Sequence, residues 1–383
     1  MYLSNQPFLM KRGNKSILAG ILLLVISCNK NSADSSGTTS NDNANPKYDL
    51  VSGAFTVSPF DTVDVRAIIP LGNLNPTAHV FPSDHMYFIC ASTKPTLEIK
   101  SPGNLHLLRI TRGLSNGGGI NNLTEYTISL GSDNSNIYFS HVSNISQRLL
   151  NAVNNFIGAN CQPAYTTGGI TYQGCSVNPV SVSITAGETL GTANMSGGSG
   201  GIDMGVYIKY IGANPLQFFD PPSRAMLEAK LGSNDGRIKR TVAPICGEFN
   251  YDIDGTAIGN WVKTGFLRSP EDNNLALVKD NVRPSIQAIS AGITLPFLNA
   301  GVYYFNPVST GLINRNFAEV KPDGITYCYT MDLLGFVNTG NSIPNSSIII
   351  KLENNTTLSA EKRNCDCTCT PYVFTANKAT YTR

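Results

Sequence analysis

The chain has only four histidines in 383 residues, and three of them stand in stretches that can offer metal donors or proton carriers. "AHVFPSDH" holds His79, Asp84 and His85, "YFSHVS" holds His141, and "GIDMGVYI" holds Asp203. Imidazole and carboxylate groups are common donors to a divalent metal, and imidazole moves protons near neutral pH. His79, Asp84 and His85 together supply two nitrogens and a carboxylate, donors that suit zinc or another divalent cation. The simpler alternative is that the histidines are hydrogen-bonded parts of turns. No serine or cysteine stands out as an activated nucleophile. "GGSGG" at 197–201 lacks the lysine and the following helix of a phosphate loop.

The elements that must position these residues are strands. Residues 85–93, 104–113, 124–132 and 136–143 read as strands separated by Gly, Asn, Ser and Pro turns, and "VSVSITAGETLG" with "GIDMGVYIKY" adds a further pair. Two short helices interrupt them. In "SNISQRLLNAVNNFIG" the residues Ile145, Leu149, Val153, Phe156 and Ile157 fall on one face, and Gly158 ends it. "PPSRAMLEAKLG" opens on proline and closes on glycine.

The pattern changes near 235–245. Eight short strands are then predicted, at 257–266, 274–279, 285–293, 301–306, 325–330, 346–353, 357–361 and 371–375, with no helix among them. That series suits a closed barrel or a sandwich. The fold class is therefore mainly β: a β-sandwich with two short helices over 49–235, then a barrel-like or sandwich domain over 245–383. Trp261, the single tryptophan, belongs to the second domain and is expected in its core.

The N-terminus reads as an address. Lys11, Arg12 and Lys15 precede a ten-residue apolar run, "ILAGILLLVI", too short to span a bilayer but suited to a signal peptide. "VISC" at 25–28 then resembles a bacterial lipobox, which implies a lipoprotein signal peptide over 1–27 and acylation of Cys28. Residues 28–48 are rich in Asn, Ser, Thr and Asp and cannot bury enough surface to fold, so they read as a disordered tether. The expected location is the bacterial cell envelope, with the protein held to a membrane by its lipid and facing the periplasm or the exterior. A net charge of +2 without basic runs excludes a nucleic-acid surface.

Eight further cysteines in an exported chain favour disulfides. Cys161 and Cys175 flank a turn-rich loop and are the pair expected to bridge. "CDCTC" at 365–369 has neither the spacing nor the nearby histidine of a zinc ribbon.

In order, "HVFPSDH", "IYFSHVS", "ITAGETLG" and "GIDMGVYI" resemble the lysostaphin-type zinc endopeptidases, over about residues 65–210. That resemblance implies a β-sandwich of the duplicated hybrid motif kind that cuts peptide cross-links in bacterial walls. It also implies a His and an Asp as the first zinc ligands, an accessory His at His141, and a His-x-His pair on the last strand. The chain departs at two points. His79 and Asp84 are five apart rather than four, and Asp203 and Gly205 stand where the two histidines belong. A degenerate, non-catalytic domain follows, so zinc is not the favoured cofactor. The expected function is an envelope binding or interaction module, with cell-wall glycan or peptide as partner. The alternatives are a metal-dependent wall endopeptidase with an altered site, its metal held by His79, Asp84, His85 and Asp203 with His141 assisting, and a carrier of small apolar ligands. The carrier reading rests on Gly259-x-Trp261 and a late arginine, which resemble the lipocalin superfamily, where an Arg packs over the indole.

Overall fold

A computed structural model describes residues 49–91, 95–117, 119–167, 169–177, 182–194, 201–332 and 342–383. Cys28, the lipobox and the whole of the tether lie outside the described residues.

Alternation sets the strands. In Gly201–Ile208, Met204 and Val206 face the core, while Asp203 and Gly205 face the other side. The larger sheet of the first half has eleven strands. Its path runs Val65–Ile69, His85–Cys90, Gly201–Ile208, Ser135–Val142, Ile120–Gly131, Leu105–Gly117, Ile170–Val177 and Asn160–Cys161. A three-stranded sheet, Thr96–Lys100 with Thr189–Asn194 and Asn144–Ile145, packs on one face of it. Phe60, Met86, Phe88, Ile99, Phe139 and Leu190 fill the space between. Each of these side chains is essentially dry, so each contributes roughly 1.5–3 kcal/mol by leaving water.

The second half is a closed barrel of eight antiparallel strands, each paired with the next in sequence. It runs from Gly259–Lys263 to Ala379–Thr382, and these two strands pair to close it. Trp261, Tyr329, Phe305 and Phe317 occupy the interior with no appreciable exposure. Trp261 Nε1 donates to the Ala257 carbonyl at 2.8 Å, and the Arg383 guanidinium lies 4.0 Å from the indole centre.

Two elements differ from the sequence reading. The helix expected to reach Ile157 covers only Gln147–Ala152, followed by a single 3-10 turn at Asn154–Phe156. Asn154, Asn155 and Phe156 have positive φ, a conformation that breaks the apolar stripe and leaves Ile157 72% exposed. The last barrel strand is Ala379–Thr382 rather than 371–375. Residues 371–375 instead form an irregular tail after the Cys328–Cys367 disulfide, with Pro371 unable to donate to a ladder.

The halves are interlocked. Val80 and Phe81, from the loop before the His85 strand, belong to the barrel's apolar core. The Phe81 N–H donates to Glu271 Oε2 at 2.8 Å, and the Arg268 guanidinium lies 4.7 Å from the centre of the Phe81 ring. Residues 245–249 pack the opposite way, against the first half.

Candidate functional site

Strand register gathers the site. Gly205 pairs with His85 on one neighbour and Tyr138 on the other, and Asp203 pairs with Tyr87 and Ser140. Directly opposed residues share a face, so these six side-chain positions line one side of the sheet, away from the main core. His141 should point the other way. It has φ +64, and the pairing of its strand with Ile120–Gly131 slips a residue there. Such a bulge re-aims a side chain, and here it turns the imidazole onto the site face.

The result is an alternating row: Asp84, His85, Asp203, His141, Glu125. His85 Nδ1 donates to Asp84 Oδ1 at 3.1 Å, and its Nε2 lies 3.6 Å from Asp203 Oδ2. His141 Nε2 lies 3.2 Å from the same Asp203 oxygen, and its Nδ1 donates to Glu125 Oε2 at 2.9 Å. The Tyr207 hydroxyl donates to the far oxygen of Asp84 at 2.8 Å. His79, His85, His141, Asp203 and Glu125 are all buried.

Charge follows from this order. Burial alone would lower the His141 pKa, but Asp203 and Glu125 outweigh it and hold the ring protonated well above the ordinary histidine value. Both ring nitrogens face carboxylates, which only an imidazolium satisfies. His85 is raised too, against burial, by Asp203 and Asp84. Asp84 and Asp203 are lowered, the attraction of the histidines overcoming desolvation. His79 behaves in the opposite sense. Burial and the neighbouring His85 charge push its pKa down to about 3, so it stays neutral. Its ring centre is 5.2 Å from that of His85.

The expected donors therefore meet in part. His79, Asp84, His85, His141 and Asp203 share one buried region, but Asp84 pairs with His85 and Tyr207 rather than serving as a ligand beside His79. Asp203 Oδ2 faces both imidazoles but lies within hydrogen-bonding distance of His141 alone, and among the described residues His85 Nε2 and Asp203 Oδ1 are buried without a hydrogen-bond partner. The geometry does not converge on a zinc ion, because His85 Nδ1 and both His141 nitrogens are turned to carboxylates rather than to a common point. Among the described residues no group of three His, Cys, Asp or Glu is arranged to hold a metal. Gly205, where the resemblance implied a histidine, leaves its space to another residue. A Cβ at Gly205 would lie 2.3 Å from the Tyr138 ring, which occupies the space above that glycine. Tyr138 stacks on Tyr207 at 5.6 Å between centres.

Sequence reading missed Glu125, Tyr138 and Tyr207. One signal was present: a glycine on a buried strand invites an aromatic ring from its neighbour. Glu125 had none, because only the bulge brings His141 to it.

Cys161 and Cys175 form a disulfide between paired strands. Among the described residues Cys90, Cys365 and Cys369 carry free thiols, while Cys161, Cys175, Cys246, Cys328 and Cys367 are disulfide-bonded. Cys90 faces apolar surroundings, and burial pushes its pKa up to about 11. No helix among the described residues is long and apolar enough to cross a membrane.

Comparison with models of protein families, with curated proteins and with solved structures finds no match to the chain.

Proposed function

We propose that this protein is a lipid-anchored component of the bacterial cell envelope that acts by binding, and that its first domain is a wall-peptidase-type domain converted to a non-catalytic form. The observation that carries the reading is the Tyr138 ring over Gly205. In the family it resembles, that position presents a histidine to the metal centre. Here the space belongs to an aromatic ring, and the neighbouring carboxylate, Asp203, is neutralised by His85 and His141.

Peptide hydrolysis at such a centre needs an open metal position, an activated water and a donor that polarises the carbonyl. His141, bonded to Asp203 and Glu125 and raised well above the ordinary histidine value, is ill suited to serve as a base. The barrel supports binding through its outer surface and its junction with the first domain, since large aromatic side chains fill the interior. That packing speaks against carriage of an apolar ligand inside it.

The test uses the full-length protein with purified peptidoglycan sacculi. Cosedimentation with sacculi, without release of cross-link peptides in added zinc, is the expected outcome. Release of peptides that is lost in His141→Ala would replace this reading with the endopeptidase. For the anchor, fatty-acid labelling should be abolished in Cys28→Ser, and persistence of label would contradict it.

A further inference from the structure

The two halves of the protein border a partly open cavity of about 300 Å³ whose lining comes from both. Strands Val65–Ile69 and His85–Cys90, the 73–75 loop and the loop after the second helix line one wall. The 280–283 turn of the barrel, with Val302 and Tyr304, forms the other. Its size sits at the lower bound of ligand pockets, enough for one small polar molecule.

The lining is unusual for a mere seam between domains. Asn73, Asn75 and Asn234 bring carboxamides, each of which both donates and accepts. Tyr304 brings a phenol from the barrel side, beside Asp280 and Arg283. Tyr87 lines the first-domain wall. Its hydroxyl is out of reach of solvent, beside Ser83 and Asn73 at the margin of hydrogen-bonding geometry, so Tyr87 offers the cavity its ring rather than its hydroxyl.

Charge is balanced. Arg283 Nε lies 3.6 Å from Asp280 Oδ1, so the only ion pair on the wall is internally matched. Ile69, Leu74 and Val302 supply apolar patches between the polar groups. The barrel wall is held rigid. Asp280 Oδ1 accepts from the Val282 and Arg283 N–H groups, Asn281 Nδ2 donates to the Pro70 carbonyl at 2.9 Å, and Arg240 donates to the Asn281 carbonyl at 2.7 Å. Walls fixed in advance lower the ordering cost of binding.

We propose that this inter-domain cavity is a binding site for one neutral sugar unit. The hydroxyls of such a unit donate and accept, as the amides and the Tyr304 phenol require, and its C–H faces suit the apolar patches. An anion or cation would find no unmatched countercharge. The proposal rests on the binding role above and gives it a place and a ligand class. Tyr87 also stands against the histidine row, its ring 4.9 Å from that of His85, so the sugar site and the closed peptidase-type site share a wall.

The experiment is calorimetric titration of the full-length protein with glucose, N-acetylglucosamine and glucuronate as probes. Tyr304→Phe removes one hydroxyl and little else, and Val302→Phe fills the cavity. Saturable binding of glucose or N-acetylglucosamine is expected, weakened about tenfold in Tyr304→Phe, as for loss of a buried hydrogen bond, and abolished in Val302→Phe. The two neutral probes distinguish a hexose site from one that also needs an acetamido group. Absence of binding up to about 10 mM, equal binding in both variants, or preference for glucuronate would overturn the proposal. Cosedimentation with sacculi separates the two claims. Sacculus binding that survives Val302→Phe leaves the binding role intact and removes this site from it. Sugar binding without sacculus binding keeps the site and refutes the wall partner.

Discussion

Gly205 and Tyr138 are paired across adjacent strands so closely that a Cβ on the glycine would sit 2.3 Å from the tyrosine ring. The absent side chain and the present ring are a single packing solution. Gly205→His should then force the ring out of place and destabilise the protein by about 1–3 kcal/mol, the usual cost of overpacking. Pairing it with Tyr138→Ala should recover much of that loss. Urea denaturation of the four proteins measures the coupling, and additive single effects would show that the two positions are independent.

His141 neutralises two buried carboxylates at once. His141→Ala leaves both without their partner, and the expected loss is about 3–5 kcal/mol, as when one member of a buried pair is removed. His106, in the outer part of the sheet, serves as the control, and His106→Ala should cost far less. Comparable thermal shifts in the two variants would contradict the buried row.

The row also fixes how stability depends on pH. His85 and His141 are raised in the folded protein, so their contribution is complete below the ordinary histidine pKa of about 6.5 and fades as pH rises through their folded values. His79 works in reverse. Its folded pKa of about 3 means that the unfolded chain binds the extra proton, and stability falls as pH drops from about 6.5 towards that value. Asp84 and Asp203, lowered on folding, add to the loss below the ordinary aspartate range. Denaturation midpoints should therefore peak near pH 6.5 and decline on both sides. A steady rise from pH 6 to about pH 9 would contradict the charge order.

Phe81 ties the His79 loop to the barrel. Phe81→Ala should cost about 3–5 kcal/mol by cavity formation and loosen that loop. As water reaches the ring, the His79 pKa should climb from about 3 towards its ordinary value. An NMR titration of the histidine signals reads this directly, and an unmoved His79 would show that the barrel does not hold the loop shut.

Strand placement was legible because alternation and turn residues are local signals. Seven of the eight barrel strands overlap their expected positions, and the missed one is displaced by the proline and cysteine tail before Ala379. The helix over Gln147–Ala152 was over-extended, because apolar periodicity cannot reveal the positive φ of Asn154 and Asn155. The site was legible in membership but not in wiring. His79, Asp84, His85, His141 and Asp203 could be named from residue types. That Asp203 sits between two imidazoles depends on cross-strand register, and that His141 reaches Glu125 depends on a bulge. Neither is written in local spacing.

The charge state of His141 is where these strands of reasoning meet. Nitrogen-15 NMR of the histidine rings in the purified protein at neutral pH observes it. Both His141 ring nitrogens should carry protons, with the imidazolium shift pattern, and added zinc should leave them unchanged. A neutral His141 ring, or a nitrogen whose signal moves to a metal-bound position when zinc is added, would contradict the account of His141 as an imidazolium held between Asp203 and Glu125.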